Sequence, residues 1–215
     1  MHPSPMSPRI PPLQPPYEPD IAATLSKWMP PHGEWEPLKL FRTLMQHKEL
    51  SDRMRPLGAG LLGSHSSLDP RDREIVIARV CARCGCVYEW GVHAVVYGTE
   101  VGLSPQQLRA SVLGTAQDPV WAERDRLLVS LVDELHETST LSDSLWEQLA
   151  AEWTTVQLLE LLILVGWYHL IGFVINGIQV EQEPWAMPFP SDEEKRHGTK
   201  EAGRGSEGLN LRSSG

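Results

Sequence analysis

The sequence predicts an all-α fold, a compact bundle of about six to eight helices. Three observations predict it. Apolar residues recur at helical spacing in one segment after another. Helix-start signals punctuate the chain at Asp69-Pro70, Ser104-Pro105-Gln106-Gln107, Asp118-Pro119, Ser142 and Thr154 with Gln157. No run reads as a convincing strand.

The 215 residues suit one domain with tails. An apolar content of 41% and a charged content of 22% are those of a soluble globular chain. The net charge of −9 argues against a partner nucleic acid or an anionic membrane, which favour basic proteins. Met1 to Asp20 lacks the apolar core of a signal peptide and the three cysteines do not form a disulfide framework, so the cytoplasm is the default location.

The domain limits follow from composition. Residues 1–20 hold eight of the 18 prolines and are expected to form a poorly ordered arm. Residues 21–187 are the helical domain. Residues 188–215 are polar, charged and rich in Gly and Ser, and are expected to be disordered.

Within the domain, Ile21–Trp28 suits a short helix before a break at Pro30-Pro31-His32-Gly33. Pro37–Gln46 suits a helix with Leu38, Phe41, Leu44 and Met45 inward. Ser51 is placed to cap a second helix carrying Met54, Leu57, Leu61 and Leu62, ending at Gly63. Asp69 caps the next helix and Pro70 sits at its first position, where a missing N–H costs nothing. Ile75, Val76, Ile77, Ala78, Val80 and Cys81 make that helix apolar nearly all round, so it belongs in the interior. Gly85 breaks it, and a further helix opens at Cys86 and runs to about Glu100.

Ser104 opens the next helix, which Gly114 closes. Asp118-Pro119 starts another, with Leu127, Leu128, Leu131, Val132 and Leu135 as its stripe. Ser142 opens one with Leu145, Trp146 and Leu149 inward. Thr154 opens the longest, to about Val180. Leu161–Ile178 carries no formal charge and is long enough to span a bilayer. Its His, Asn and three glycines, with Glu160 and Glu181 at its flanks, favour a buried core helix instead.

The candidate chemistry lies in Asp69–Ser104. Glu74 projects a carboxylate from an apolar helix face, which is costly unless it is paired. Cys86, Glu89 and His93 fall at i, i+3 and i+7 and share one face. Cys86, in a first turn, is expected to favour the thiolate. Carboxylates, an imidazole and a thiol brought together make a proton-transfer constellation. Trp90 and His169 are candidates for a substrate pocket. His169 also shares a face with Asn176, which suits a hydrogen-bonded pair inside the bundle equally well. His136 is expected to be solvated near a helix end. Cys81 and Cys84 close a helix rather than open one, so a redox pair is not expected there. Zinc is not expected either, because one His and crowded cysteines do not make a tetrahedral site. No Walker loop, GxGxxG or HExxH is present, and no metal or organic cofactor is expected.

Glu74, eleven residues, Cys86, two residues, Glu89, three residues, His93 resembles the Glu…Cys-x-x-Cys-x-x-x-His pattern of the carboxymuconolactone decarboxylase and alkylhydroperoxidase D superfamily. Tyr88-Glu89-Trp90-x-x-His93 looks like its decarboxylase-type branch, and the resemblance covers roughly Leu38 to Val180. The peroxidase branch has a second Cys where this chain has Glu89, so its dithiol cycle cannot run at that position. The resemblance implies a homo-oligomer, a trimer or a hexamer, acting on a small molecule. The expected activity is decarboxylation or proton transfer on a lactone or keto acid, with His93 as acid/base, Glu74 and Glu89 orienting it, and Cys86 lining the pocket. The alternatives are a thiol peroxidase using Cys86, and a non-catalytic binding or scaffold protein.

Overall fold

The computed structural model describes residues 7–29 and 36–191. Its helices are α1 (Pro19–Trp28), α2 (Lys39–Leu44), α3 (Lys48–Leu62), α4 (Pro70–Arg83), α5 (Val87–His93), α6 (Pro105–Leu113), α7 (Glu123–Thr138), α8 (Asp143–Glu152) and α9 (Thr155–Ile178). There is no strand among the described residues. The all-α expectation therefore holds.

The bundle is built around α4. The Asp69 carboxylate accepts from Arg71 N, Pro70 begins the helix, and every residue from Glu74 to Cys81 is buried. Helices α5, α6, α7 and α9 pack around it. An interior helix must also settle its charges, and α7 does most of this. Arg71 meets Asp125 at 2.7 Å, Arg79 meets Asp133 at 2.7 Å and Arg83 meets Glu137 at 2.5 Å. Each partner lies 54 residues on, a constant offset that requires α4 and α7 to run parallel and in register. Asp72 accepts from Arg124 and from the Trp153 indole, which ties in the end of α8. Two-pronged arginine–carboxylate bonds of this kind offset the cost of burying charge.

Local signals placed most helix starts. Ser104 with Gln107 and Thr154 with Gln157 form complete capping boxes, and Ser142 caps α8. Three expectations are corrected. Helix α3 begins at Lys48 through a 3₁₀ turn over Met45–His47, so Ser51 lies inside it and donates to Leu44 O at 2.7 Å. Helix α7 begins at Glu123, not at Asp118-Pro119. The Asp118 carboxylate instead accepts from Thr115 N at 2.6 Å in a preceding turn. Trp146 is exposed, while Leu145 and Leu149 carry the inner face of α8.

Residues 7–18 and 179–191 lie against the bundle. Residues 7–18 form no helix or strand, and Arg9 donates from its backbone and side chain to the Ile178 and Gly177 carbonyls that end α9, at 2.8 and 2.9 Å. Leu13 N donates to Arg42 O at 3.3 Å, and α1 begins at Pro19. The described part of the Pro-rich segment is thus attached to the domain. The Pro30–Gly33 break lies outside the described residues. Past α9, buried Glu183 accepts from Lys39 N and from Tyr88 OH, each at 2.6 Å, closing the start of α2. Phe189 packs edge-on against Trp90 with ring centroids 5.4 Å apart, and Arg109 donates to Ser191 O at 2.8 Å. Packing therefore continues into 188–191, and residues 192–215 lie outside the described residues.

Gly91 makes this C-terminal strap possible. A Cβ at this position would stand 2.2 Å from the Met187 carbonyl oxygen, which is backbone and cannot swing aside. Gly91→Ala is expected to lift the strap and cost about 1–3 kcal/mol by overpacking. Chemical denaturation of the two chains measures that loss.

Candidate active site

Glu74, buried in α4, faces the end of α5. His93 Nδ1 lies 2.8 Å from Glu74 Oε2, and its Nε2 lies 3.5 Å from Glu89 Oε1 and 3.1 Å from the Tyr168 hydroxyl. All four side chains are buried. Helical spacing alone aligns Glu89 with His93 at i and i+4. Glu74 and Tyr168 arrive from α4 and α9 by packing. Immediately after His93 the helix widens into a π turn over Ala94–Gly98, a local irregularity that often accompanies functional sites. It leaves the Tyr97 ring 5.1 Å from the imidazole.

Burial alone would drive the proton off His93, but the charges and hydrogen bonds of Glu74 and Glu89 outweigh it and hold its pKa up at about 10. The surroundings of His93 thus favour its protonated form. Burial and the same two carboxylates push Tyr97 up to about 12 and Tyr168 well above its ordinary value, so both hydroxyls stay protonated.

The site opens on a cavity of about 180 Å³. Its apolar wall includes Leu40, Phe41, Met54, Val92, Trp167 and Ile171, and its polar wall is Glu89, His93, Tyr97 and Tyr168. Exposed Lys27 and Arg55 also line it, so two cations stand at the outer edge. Gly58 brings α3 close to α9 beside the cavity, since a Cβ there would stand 2.8 Å from the Trp167 ring.

The structure brings Glu74, Glu89 and His93 together as the sequence pattern implies. Three other expectations are corrected. Cys86 is the residue before α5, fully buried and absent from the cavity wall. Burial, followed by the Glu89 charge, pushes its thiol up to about 12, the reverse of the expected thiolate. Trp90 is buried away from the cavity and donates to Ser111 Oγ at 3.0 Å. His169 also lies outside the cavity and pairs with His136 rather than with Asn176, which donates to Cys84 O. The residues missed are Tyr97 and Tyr168. Tyr97 was accessible as the residue one turn beyond His93, whereas nothing local marks Tyr168.

An interior helix, a buried carboxylate–imidazole pair and an apolar cavity together define the candidate site of this helical protein. The carboxymuconolactone decarboxylase family model matches residues 48–128, which contain Glu74, Cys86, Glu89 and His93. Two solved structures share the fold. An uncharacterized peroxidase-related protein from Silicibacter sp. TM1040 aligns with a TM-score of 0.70 at 14% identity, over 81% of this chain and 91% of that one. An Agrobacterium tumefaciens protein of unknown function, provisionally assigned to AhpD-type antioxidant defence, aligns with a TM-score of 0.58 at 20% identity, over 65% of this chain and 94% of that one. No curated protein matches the chain by sequence. The match to the carboxymuconolactone decarboxylase family thus spans the segment that carries the candidate site, and the two solved structures share the fold of the chain.

The raised pKa of His93 fixes a pH dependence. Its folded value exceeds the ordinary 6.5, so the stability it contributes is complete below about pH 6.5 and is lost as pH rises through about 10. Glu74→Gln removes the main source of that shift. Relative to wild type, the variant is expected to lose more stability at pH 6 than at pH 10. Urea denaturation at the two pH values checks this, and equal losses at both would separate Glu74 from the His93 proton.

Proposed function

We propose that this protein carries out acid/base chemistry of the decarboxylase type on a small unsaturated organic acid. The observation that carries the reading is His93, held protonated between Glu74 and Glu89, at the polar wall of an otherwise apolar cavity. Lys27 and Arg55 at the outer edge suit a carboxylate, against the overall charge of −9. The buried indole N–H of Trp28, which has no acceptor among the described residues, offers a further donor on the cavity wall.

In this reading the bond from carbon to carboxylate breaks and CO2 leaves. The electron pair moves into the unsaturated system as an enolate, which the N–H of His93 and the tyrosine hydroxyls stabilise. The His93 proton then passes to carbon, and solvent restores it. The apolar walls favour the step because the departing carboxylate is poorly solvated while the transition-state charge is spread. The same groups serve a proton transfer within a lactone or keto acid. The high pKa of Cys86 and the Glu in place of a second family Cys both weigh against the thiol peroxidase reading, and both support the imidazole.

We also propose a second copy of this chain on the outer face of α9. Val156, Leu159, Ile163, Leu170 and Phe173 are exposed and, with Gly166 and Gly177, follow alternating steps of three and four residues. That is the spacing of a helix-pair seam. Both glycines have open space where a side chain would stand, which permits close approach. The seam can match itself across a two-fold axis, which suits a dimer or a hexamer built from such pairs. The helix is apolar and long enough to cross a membrane, with 44% of its apolar window buried in the bundle.

Two experiments test these readings. Against a panel of unsaturated carboxylated lactones and 2-keto acids, CO2 release is expected to fall about 10²–10⁴-fold in His93→Gln and to change little in Cys86→Ser. Equal losses in both variants, or hydroperoxide turnover with dithiothreitol that Cys86→Ser abolishes, would transfer the chemistry to the thiol. Phe173→Glu is expected to reduce the particle mass measured by light scattering, and an unchanged mass would leave α9 without a second copy.

A further inference from the structure

We infer that Cys84, His136 and His169 form a binding site for a zinc-class divalent transition-metal ion, separate from the cavity and from His93. The three side chains come from three places: Cys84 follows α4, His136 lies in the last turn of α7, and His169 lies in the middle of α9. Their ligand atoms all lie within 4.8 Å of one another and all three residues are half-buried. One thiol and two imidazoles are the donors that zinc prefers.

The arrangement around these atoms is that of a ligand set. His169 donates Nδ1–H to the Val165 carbonyl at 2.8 Å, which leaves the lone pair of its Nε2 facing His136 Nδ1 at 2.9 Å. Fixing one imidazole nitrogen on a carbonyl so that the other can bind a metal is the usual support for such a histidine. In a tetrahedral site with Zn–N bonds of about 2.0–2.1 Å, ligand nitrogens stand about 3.3 Å apart, so the two rings need to separate only slightly. Cys84 is held in place from both ends. Asn176 donates to its carbonyl at 2.8 Å, and its Cβ and Sγ lie 3.3 and 3.6 Å from where a Cβ on Gly172 would stand. A side chain at 172 would press Cys84 out of position. The nearby Arg83 guanidinium does not oppose a cation unbalanced, because it pairs with Asp133 at 3.5 Å and Glu137 at 2.5 Å.

The proton balance is simple. Without metal, His136 carries its proton on Nδ1 and donates it to His169. On binding, that proton moves to the other nitrogen of His136, so both imidazoles remain neutral ligands. The Cys84 thiol gives up its proton as the Zn–S bond forms, so one proton is released per ion. Three protein ligands leave the fourth tetrahedral position to water or a small anion.

The test uses the full chain without a polyhistidine tag. Co²⁺ is titrated as a coloured stand-in for Zn²⁺, then displaced by Zn²⁺. The expected result is one equivalent bound, with a thiolate-to-cobalt charge-transfer band and tetrahedral ligand-field bands. Affinity should fall about a hundredfold or more in Cys84→Ser, His136→Gln and His169→Gln, beyond the loss that a supporting residue alone would give. Alkylation mapped by mass spectrometry supplies a readout on the unmodified sequence. Zn²⁺ is expected to protect Cys84 from iodoacetamide. A cobalt spectrum without the thiolate band, unchanged affinity in any of the three variants, or alkylation of Cys84 at the same rate with and without Zn²⁺ overturns the site.

Discussion

A carboxylate inside the central helix has to find a cation, and Glu74 finds His93. Helix α4 is packed on several sides, so water cannot solvate this charge. The pairing sets how α5 turns relative to α4, because only one rotation of α5 aims His93 Nδ1 at Glu74. With that rotation fixed, Glu89 one turn earlier points to the same imidazole, and Tyr168 of α9 meets its other nitrogen. The π turn that follows carries Tyr97 to the same place. Three arginines of α4, Arg71, Arg79 and Arg83, match acidic residues of α7 at one register. One helix thus carries both a charge ladder and the buried Glu74–His93 pair.

Glu89 also links the chemistry to the cysteine. Where the peroxidase branch of the superfamily that the sequence resembles has a second thiol, this chain places the Glu89 carboxylate. That carboxylate adds a proton-holding partner for His93 and, at the same time, raises the pKa of the nearby Cys86 thiol beyond what burial does. A single side chain thereby favours the protonated form of both the imidazole and the thiol. The two effects have one electrostatic cause, a negative charge in a region that water does not reach.

Helix α9 divides its neighbours by direction. Successive residues on a helix point about 100° apart, and Tyr168 and His169 use that difference. Tyr168 turns inward to His93, and His169 turns outward to His136 and Cys84. Gly172, one turn on, leaves the space that Cys84 occupies. The same helix therefore serves the cavity on one side and a Cys–His–His cluster on the other, with its apolar stripe beyond.

The sequence by itself determined the all-α class, the ends of α4, α6 and α9, the start of α8, and the face shared by Glu89 and His93. Each of these rests on contacts between residues a few positions apart: a cap, a proline in the first turn, a glycine past the last, or an i,i+4 pair. It also marked Glu74 as a charge in need of a partner, without supplying the geometry. Where a local signal competed with packing, packing decided. Ser51 was drawn into α3 by a 3₁₀ turn, Asp118 closed its own turn instead of opening α7, and Cys86 was buried although its place before a helix favoured a thiolate. Only the tertiary structure decided that Tyr168 completes the His93 site, that Trp90 and His169 stand outside the cavity, and that Cys84, His136 and His169 converge. These residues are separated by dozens of positions and carry no local signature. Their meeting follows from the packing of α5, α7 and α9 around α4, which the pattern of any one helix does not encode.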